Sequence, residues 1–193
     1  MTTALPTWKK ETLEVAGTSV ELTTGGSGKP LLILHDEIGH HSWLKFHETL
    51  AQNYTIYIPS HPGYGESPAL SWIMNMRDMA GWYNHAIDEL GWKDLNVLAF
   101  SMGGWLAAEM ATMCTHAFNK LALVAPAGIK PPTGEILDMF LLVAKEYIEA
   151  GVLDPSNTPE FPVICPTDAS PEQTEAWEVA REESCRLSWK PYM

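Results

Sequence analysis

The sequence is poor in cationic side chains and in long apolar runs. It has 12 lysines and arginines against 24 aspartates and glutamates, which gives a formal net charge of −12. A strongly negative chain is a poor partner for nucleic acids and for anionic membranes, so neither is expected here. No stretch approaches the roughly 18 consecutive apolar residues of a membrane-spanning helix.

Cysteine is also scarce. Cys114, Cys165 and Cys185 are an odd number and do not have the spacing of metal ligands. This pattern favours reduced thiols, and with them a cytoplasmic protein, over a disulfide framework. The first ten residues lack the apolar run of a secretory signal, which agrees with the same localisation.

The apolar content of 46% is ample for a hydrophobic core. The composition changes near Lys130-Pro131-Pro132, where two prolines in a row cannot continue a helix or a strand. Residues 1–132 carry 12 acidic and 8 basic groups, whereas residues 133–193 carry 12 acidic and 4 basic groups. We therefore predict a core domain over residues 1–132 and a second segment over residues 133–193.

The core segment alternates between strand-like and helix-like patterns. Residues 11–16 and 18–24 alternate apolar and polar side chains, which predicts an N-terminal β-hairpin. Buried strands are predicted at 30–35, 54–59, 95–100 and 120–125, and helices at about 42–52, 72–90 and 105–113. This alternation predicts an α/β fold with a mostly parallel sheet and helices on both faces. Function in such sheets lies at the carboxyl ends of the strands, where His35, Ser60 and Ser101 fall.

Ser101 stands where the strand at 95–100 meets the following helix. A serine on such a tight turn has a strained backbone and a hydroxyl that points clear of both elements. The turn needs small residues two positions before and two after the serine, and these are Ala99 and Gly103. The Met102 amide, at the start of the helix, is free to donate to an anion beside the hydroxyl. This is the geometry of an acyl-transfer nucleophile, and the alternative is an ordinary helix that begins at a glycine.

Four landmarks occur in order over residues 10–130: Leu31-Leu-Ile-Leu-His35, His61-Pro-Gly-Tyr-Gly-Glu-Ser67, the serine turn, and Val124-Ala-Pro-Ala-Gly128. With them the chain resembles the first two-thirds of an α/β-hydrolase with a helical cap. The sequence departs from the family at Ala99, which replaces a glycine at little cost. It departs again at Asp36, which replaces the glycine after the histidine and is expected to distort the loop there.

The resemblance implies that Ser101 is the nucleophile of a serine hydrolase. It also implies that the backbone N–H groups of Met102 and Glu37 donate to the oxyanion. In this interpretation the side chain of Glu37 has no role. No cofactor is implied, and the substrate would be a small molecule with an ester or ketone carbonyl.

The family's catalytic order is serine, then an acid, then histidine. After Ser101 the sequence contains one histidine, His116, which at about 1.5 Å per helical residue lies roughly 20 Å from the serine. We therefore expect the last two strands of the fold, with the acid and the histidine, to be missing and this chain to be an inactive fragment. The strand at 120–125 would then be an uncovered edge that is prone to association.

Two other roles for the histidines near residue 40 are disfavoured. His40 and His41 could replace the missing base, but no buried acid is placed to orient them. The string from His35 to His41 has ligand types that suit zinc or iron, but it lies in a loop without helical i, i+4 pairing. We expect no metal site, and we expect His61 to brace its own turn.

The segment after residue 132 predicts a helical cap. Residues 135–150 have the spacing of a one-sided helix, and residues 171–189 predict a second helix. The stretch from 154 to 170 contains four prolines and is predicted to be a loop. The apolar faces of the two helices would roof the serine and form the substrate pocket.

Two functions follow. The first is a serine hydrolase that cleaves an ester or a carbon–carbon bond, and the residues do not separate these reactions. A serine instead of an aspartate at the turn argues against epoxide hydrolases and haloalkane dehalogenases. The second is a non-catalytic hydrolase-like scaffold that binds a small ligand or a partner. The sequence leaves the oligomeric state open.

Overall fold

A computed structural model describes residues 7–40, 42–134 and 136–189. Within these residues one sheet contains β1 (Trp8–Val15), β2 (Thr18–Gly26), β3 (Lys29–Leu34), β4 (Tyr54–Pro59), β5 (Leu95–Phe100) and β6 (Phe118–Val124). The helices are α1 (Lys45–Ala51), α2 (Met76–Glu89), α3 (Ser101–Met113), α4 (Ala144–Ala150), α5 (Phe161–Ile164) and α6 (Pro171–Ser188). Each of these helices is too short or too polar to cross a bilayer.

The strand order across the sheet is β1-β2-β4-β3-β5-β6. β1 and β2 form the predicted antiparallel hairpin, and β2 pairs antiparallel with β4. β3 pairs parallel with both β4 and β5, and β5 pairs parallel with β6. The mostly parallel sheet predicted from the alternating pattern is therefore confirmed, and β3 and β5 lie side by side in the middle of its four parallel strands.

Helices cover both faces of the sheet. On one face Leu32 and Leu34 pack in a cluster with residues of α2 and α3, such as Met79 and Leu106. On the other face Leu31 and Ile33 pack with Ala51 of α1. Successive side chains of a strand point to opposite faces, so the continuous apolar run of β3 supplies both layers of the core.

Two predicted helices begin later than expected. Helix α2 begins at Met76 because the side chain of Asn75 accepts hydrogen bonds from the backbone N–H groups of Arg77 and Asp78. This N-cap fixes the start of the helix at Met76. The apolar pattern predicts a helix from about residue 72, but residues 72–75 belong to the preceding loop. Helix α1 begins at Lys45, three residues after the predicted start.

The predicted helix at 135–150 is wrong over most of its length. Residue 135 lies outside the described residues, Met139–Leu141 form a short 3-10 helix, and α4 contains only the last seven residues. Asp138 accepts a hydrogen bond from the Phe140 N–H, and Leu142 and Val143 are extended. A side chain that bonds its own nearby backbone competes with a continuous helix. The second cap helix matches its prediction, and the loop before it contains α5 and a 3-10 turn.

The segment after residue 132 packs over the loop that follows β3. Ile38 of that loop is buried in a cluster with Ala144 of α4, with Trp177 of α6 and with Cys165, which follows α5. This cluster is separate from the two layers of the sheet. The cap helices therefore cover the carboxyl end of β3.

Candidate active site

Ser101 is the first residue of α3 and follows β5 directly. Its φ is +44°, in the left-handed region, whereas Phe100 before it is extended. A residue other than glycine in this region costs about 1–3 kcal/mol and persists where the surrounding structure enforces it. The turn has the backbone geometry that the sequence predicted, and Ser101 remains half-buried rather than closed in.

The crowding that requires glycine at position 103 comes from the end of β3. A Cβ atom at Gly103 would lie 2.5 Å from the carbonyl oxygen of Leu34, and it would also meet the carbonyl of His35. The start of α3 therefore contacts the β3 loop (residues 35–39) backbone to backbone. Ala99 is fully buried under the turn.

The ends of neighbouring strands are joined at this edge of the sheet. The Ala127 N–H donates to the Ser101 carbonyl at 2.9 Å, which ties the segment after β6 to the turn. On the other side the His61 N–H donates to His35 Nε2 at 3.1 Å. The carboxyl ends of β3, β4, β5 and β6 thus meet around Ser101.

The side chain of Glu37 takes part in the site, contrary to the prediction that only its amide matters. Glu37 is 5% exposed, and its Oε2 accepts a hydrogen bond from the Met102 N–H at 3.3 Å. The N–H predicted to donate to an oxyanion therefore already binds a carboxylate. Sequence reasoning missed this contact because the partners are 65 residues apart.

Tyr147 of α4 brings the cap into the site. Its hydroxyl donates to Glu37 Oε1, and it also contacts the Ser101 hydroxyl. Burial, followed by the hydrogen bond with Glu37, raises the pKa of Tyr147 well above its usual value. The tyrosine therefore stays protonated at neutral pH and acts as a donor beside the serine. The apolar spacing of this segment predicts only a packing role for Tyr147.

The peptide that carries the Glu37 N–H is held in a fixed orientation. Its carbonyl, which belongs to Asp36, accepts hydrogen bonds from His35 Nδ1 at 2.7 Å and from the Gly39 N–H at 3.3 Å. The N–H and C=O of a trans peptide point in opposite directions, so fixing one fixes the other. Asp36 replaces the family's glycine, and the loop around it remains internally hydrogen-bonded.

The Glu37 carbonyl is bound separately by α6. The Ser184 hydroxyl, fully buried, donates to it at 2.9 Å. Because this uses the Ser184 proton, the Tyr64 hydroxyl donates to Ser184 Oγ at 2.7 Å. The sequence around Ser184 does not indicate that its side chain binds the β3 loop.

His61 braces its turn, as predicted. Its ring stacks on that of His35 at 3.7 Å, and the Tyr83 hydroxyl donates to its Nδ1 at 2.6 Å. Burial, followed by the nearby His35, lowers the pKa of His61 well below its usual value. His61 is therefore neutral and structural in this arrangement.

The other histidines are divided between a cavity and the surface. His40 and His47 line a cavity of about 230 Å³ with Asp36, Phe100 and the cap residue Ile164. His41 lies outside the described residues. His116 binds Asp88 at 3.1 Å, at the far end of α3 from Ser101. No group of three or more potential metal ligands occurs among the residues that the structure describes.

Two groups in the cavity wall have shifted pKa values. Burial, followed by the charge of Glu37, raises the pKa of Asp36 to about 7. Burial lowers the pKa of His47 to about 4, and its Nδ1 accepts the Leu44 N–H at 2.9 Å at the start of α1. Both groups favour their neutral forms because the charged forms are poorly solvated there.

The order of the strands and the strained turn between β5 and α3 define an α/β protein of the hydrolase type. The family model for the alpha/beta hydrolase fold matches residues 29–149. The chain belongs to this family.

Three known proteins illustrate the similarity. The acetyltransferase component of the acetoin cleaving system of Cupriavidus necator is 32% identical over 105 residues, which is 54% of this chain and 28% of that protein. The 2-hydroxymuconate semialdehyde hydrolase of Pseudomonas sp. strain CF600 is 27% identical over 130 residues, 64% of this chain and 45% of that protein. The chain therefore spans less than half of each of these relatives.

The third is a solved structure. The 2-hydroxy-6-oxo-6-phenylhexa-2,4-dienoate hydrolase of Rhodococcus sp. strain RHA1 superposes with a TM-score of 0.66 at 21% identity. The superposition covers 95% of this chain and 77% of that one. At this identity the likeness concerns the fold, and it extends through the cap segment as well as the sheet.

Proposed function

We propose that the intact protein is a hydrolase in which Ser101 is the nucleophile for the carbonyl group of a small ester or ketone. The observation that carries this proposal is the left-handed backbone of Ser101, with a φ of +44°, at the junction of β5 and α3. The surrounding structure maintains a strained serine at the strand ends, next to the N–H of Met102.

In the proposed reaction the Ser101 oxygen bonds to the carbonyl carbon, and the electron pair of the C=O bond moves to its oxygen. The N–H groups of Met102 and Glu37 donate to that oxyanion, once Glu37 Oε2 has left the Met102 N–H. Removing one such donor typically costs about 10²–10³ in rate. The serine proton passes to a histidine, which we place after residue 193 together with its acid. The leaving group departs with a proton, and water then releases the acid from the acyl-enzyme.

We also propose that the chain divides near residue 132 into a core and a cap. The sheet ends at Val124, and the helices after residue 143 bury Ile38 of the β3 loop rather than adding to the layers of the sheet. In this organisation the cap supplies Tyr147 and Ile164 to the site, and the cavity of about 230 Å³ beside Phe100 accepts the acyl or ketone group.

The test is covalent labelling of the intact protein with a fluorophosphonate, followed by mass mapping of the modified residue. We expect one adduct, on Ser101, and no labelling of Ser101→Ala. Ser42→Ala is the matched control, because Ser42 lies in the cavity wall at the same end of the sheet and its loss should leave labelling intact. An unlabelled protein, or a label on another serine, would refute the assignment.

A second candidate is a hydrolase-like scaffold without catalysis. The observation in its favour is that Glu37, a side chain of the same chain, occupies the Met102 N–H. Such a protein would bind a small ligand under the cap without turning it over. The two candidates are distinguished by titrating the intact protein with a neutral ester, because the scaffold predicts saturable binding without product.

A further inference from the structure

The site contains a carboxylate that pairs with no lysine or arginine among the residues that the structure describes. Glu37 is 5% exposed, and its two oxygens accept hydrogen bonds from the Met102 N–H and the Tyr147 hydroxyl. Both oxygens of this side chain therefore act as hydrogen-bond acceptors. Its acidic neighbour Asp36 faces the adjoining cavity.

The described cations of the cap are engaged elsewhere. Lys145 donates to the carbonyl of Thr167, while Arg181 and Arg186 pair with glutamates of their own helix. The cavity beside the site is lined by apolar residues, Ser42, Asp36, Gly39 and histidines, without a lysine or an arginine among its described lining. The site thus presents negative charge and hydrogen-bond donors to whatever enters it.

We propose that Glu37 is a specificity-determining residue that selects acyl groups without a negative charge and rejects substrates that carry a carboxylate near the reacting carbonyl. This proposal rests on the proposed function and adds the substrate class. It favours neutral esters and ketones among the carbonyl compounds that the sequence left open.

The carboxylate of Glu37 stays near the acyl group when a substrate binds. A substrate carbonyl takes the Met102 N–H, so Glu37 gives up that hydrogen bond. Tyr147 still holds Oε1, and the β3 loop is fixed at the Glu37 carbonyl by Ser184. The carboxylate therefore stays within about one side-chain length of the acyl group, where a second negative charge is repelled.

The size of the effect follows from the electrostatics of a partly desolvated site. Two like charges about 5 Å apart, at an effective dielectric constant of about 20, change binding by about 10²-fold. Rejection of the wrong ligand by an uncompensated charge is a common basis of specificity. The dienoate in the name of the Rhodococcus enzyme is a carboxylate. Under this proposal the present chain rejects substrates of that class, although the two proteins have the same fold.

The test uses two substrates of the intact protein that differ only in the far end of the acyl chain. Mono-4-nitrophenyl glutarate ends in a carboxylate, and its methyl ester is neutral. The readout is the ratio of kcat/KM for the neutral over the charged ester, from release of 4-nitrophenol. We expect a ratio of about 10² in the wild type, a ratio below about 10 in Glu37→Gln, and a ratio still well above 10 in Glu37→Asp.

The ratio separates specificity from a structural role, because a loosened site would slow both substrates together. Glu183→Gln is the matched control. Glu183 is also buried, at 8% exposure, but it pairs with Arg186 on α6, so its loss should leave the ratio unchanged. A wild-type ratio near one, or an unchanged ratio in Glu37→Gln, would overturn the proposal. If Glu37→Gln does not fold, the wild-type and Glu37→Asp ratios decide.

Failure of the underlying function would look different. If Ser101→Ala hydrolyses the neutral ester as fast as the wild type, or the wild type hydrolyses neither ester, the proposed function fails and the inference with it. If Ser101→Ala is inactive but the substrate ratio does not respond to Glu37, only the inference about specificity fails.

Discussion

Asp36 shows how one replacement within a known loop is accommodated. A carboxyl at this position is poorly solvated and lies next to Glu37, and its pKa rises to about 7. It is held by its Oδ1, which accepts the Ile38 N–H at 3.0 Å, while its carbonyl orients the following peptide. The loop therefore carries an acid whose neutral form is favoured in the folded state.

This shift makes the free energy of unfolding depend on pH. A folded-state pKa raised from 3.8 to about 7 gives a stabilisation that is present below about pH 4 and is lost as the pH rises through 7. At about 1.36 kcal/mol per pKa unit, the loss is at most about 4 kcal/mol. His47 acts in the opposite direction, because its pKa is lowered from 6.5 to about 4 and its stabilisation is lost as the pH falls through 4.

We therefore expect Asp36→Asn to gain stability relative to the wild type as the pH rises from about 4 to 8. Urea unfolding at several pH values in this range measures the difference. Asp168→Asn, at an exposed position of the cap loop, should follow the wild-type profile. Parallel profiles for Asp36→Asn and the wild type would show that Asp36 titrates normally.

At the scale of single elements, β6 is unlike the other parallel strands. Among the described strands it pairs only with β5, so it lies at the edge of the sheet. Leu121, Leu123 and Val124 are 37%, 38% and 44% exposed, whereas the core strands bury their apolar side chains. The opposite edge strand, β1, is protected by exposed charges such as Lys9 and Glu11. β6 carries one exposed charge, Lys120, and the four residues after it are all apolar. Such an apolar strand edge is a template for pairing with another chain.

We expect this 193-residue chain to associate as its concentration rises, and Leu123→Lys to reduce that association because a charge opposes strand pairing. Sedimentation velocity over a range of concentrations measures both. Thr12→Lys places the same charge on β1 and should not change the association. A wild-type chain that stays monomeric throughout the range would contradict the prediction.

At the scale of the whole molecule, one buried hydroxyl couples the cap to the core. Ser184 of α6 is fully buried between Tyr64, which follows β4, and the carbonyl of Glu37 in the β3 loop. The same helix pairs Arg186 with Glu183, and Arg186 also donates to the carbonyl of Ile73. Helix α6 is therefore bonded to two loops, the one after β3 and the one between β4 and α2.

Replacing Ser184 with alanine leaves the Glu37 carbonyl and the Tyr64 hydroxyl without this partner. The expected cost is about 1–3 kcal/mol of unfolding free energy, typical of an unsatisfied buried polar group. Denaturant unfolding measures it, and limited proteolysis of the cap tests whether α6 detaches first. Ser188→Ala is the control on the same helix, because the Ser188 hydroxyl donates to the Ser184 carbonyl within α6. Equal losses in the two variants would show that the bridge does not couple the domains.

Much of the core could be predicted from the sequence because its elements are defined by short local patterns. The runs at 54–59 and 95–100 coincide with β4 and β5, since short, mostly apolar runs with β-branched residues favour strands. Helix starts were less well predicted, because a cap such as Asn75 depends on which nearby N–H groups it can reach. The prediction of one helix over residues 135–150 was wrong for a related reason, since the apolar spacing did not reveal the break around Asp138.

The local sequence by itself determined the family, the succession of strands and helices in the core, and the turn at Ser101. These features are marked by residues close together in the sequence, although the contact that requires glycine at position 103 comes from the end of β3. Only the tertiary structure decided what surrounds the serine. Glu37, Tyr147 and Ser184 lie far apart along the chain, and they meet because the cap folds back over the β3 loop. Periodicity reports which side chains are buried, but the partner of a buried polar group is set by packing between distant segments.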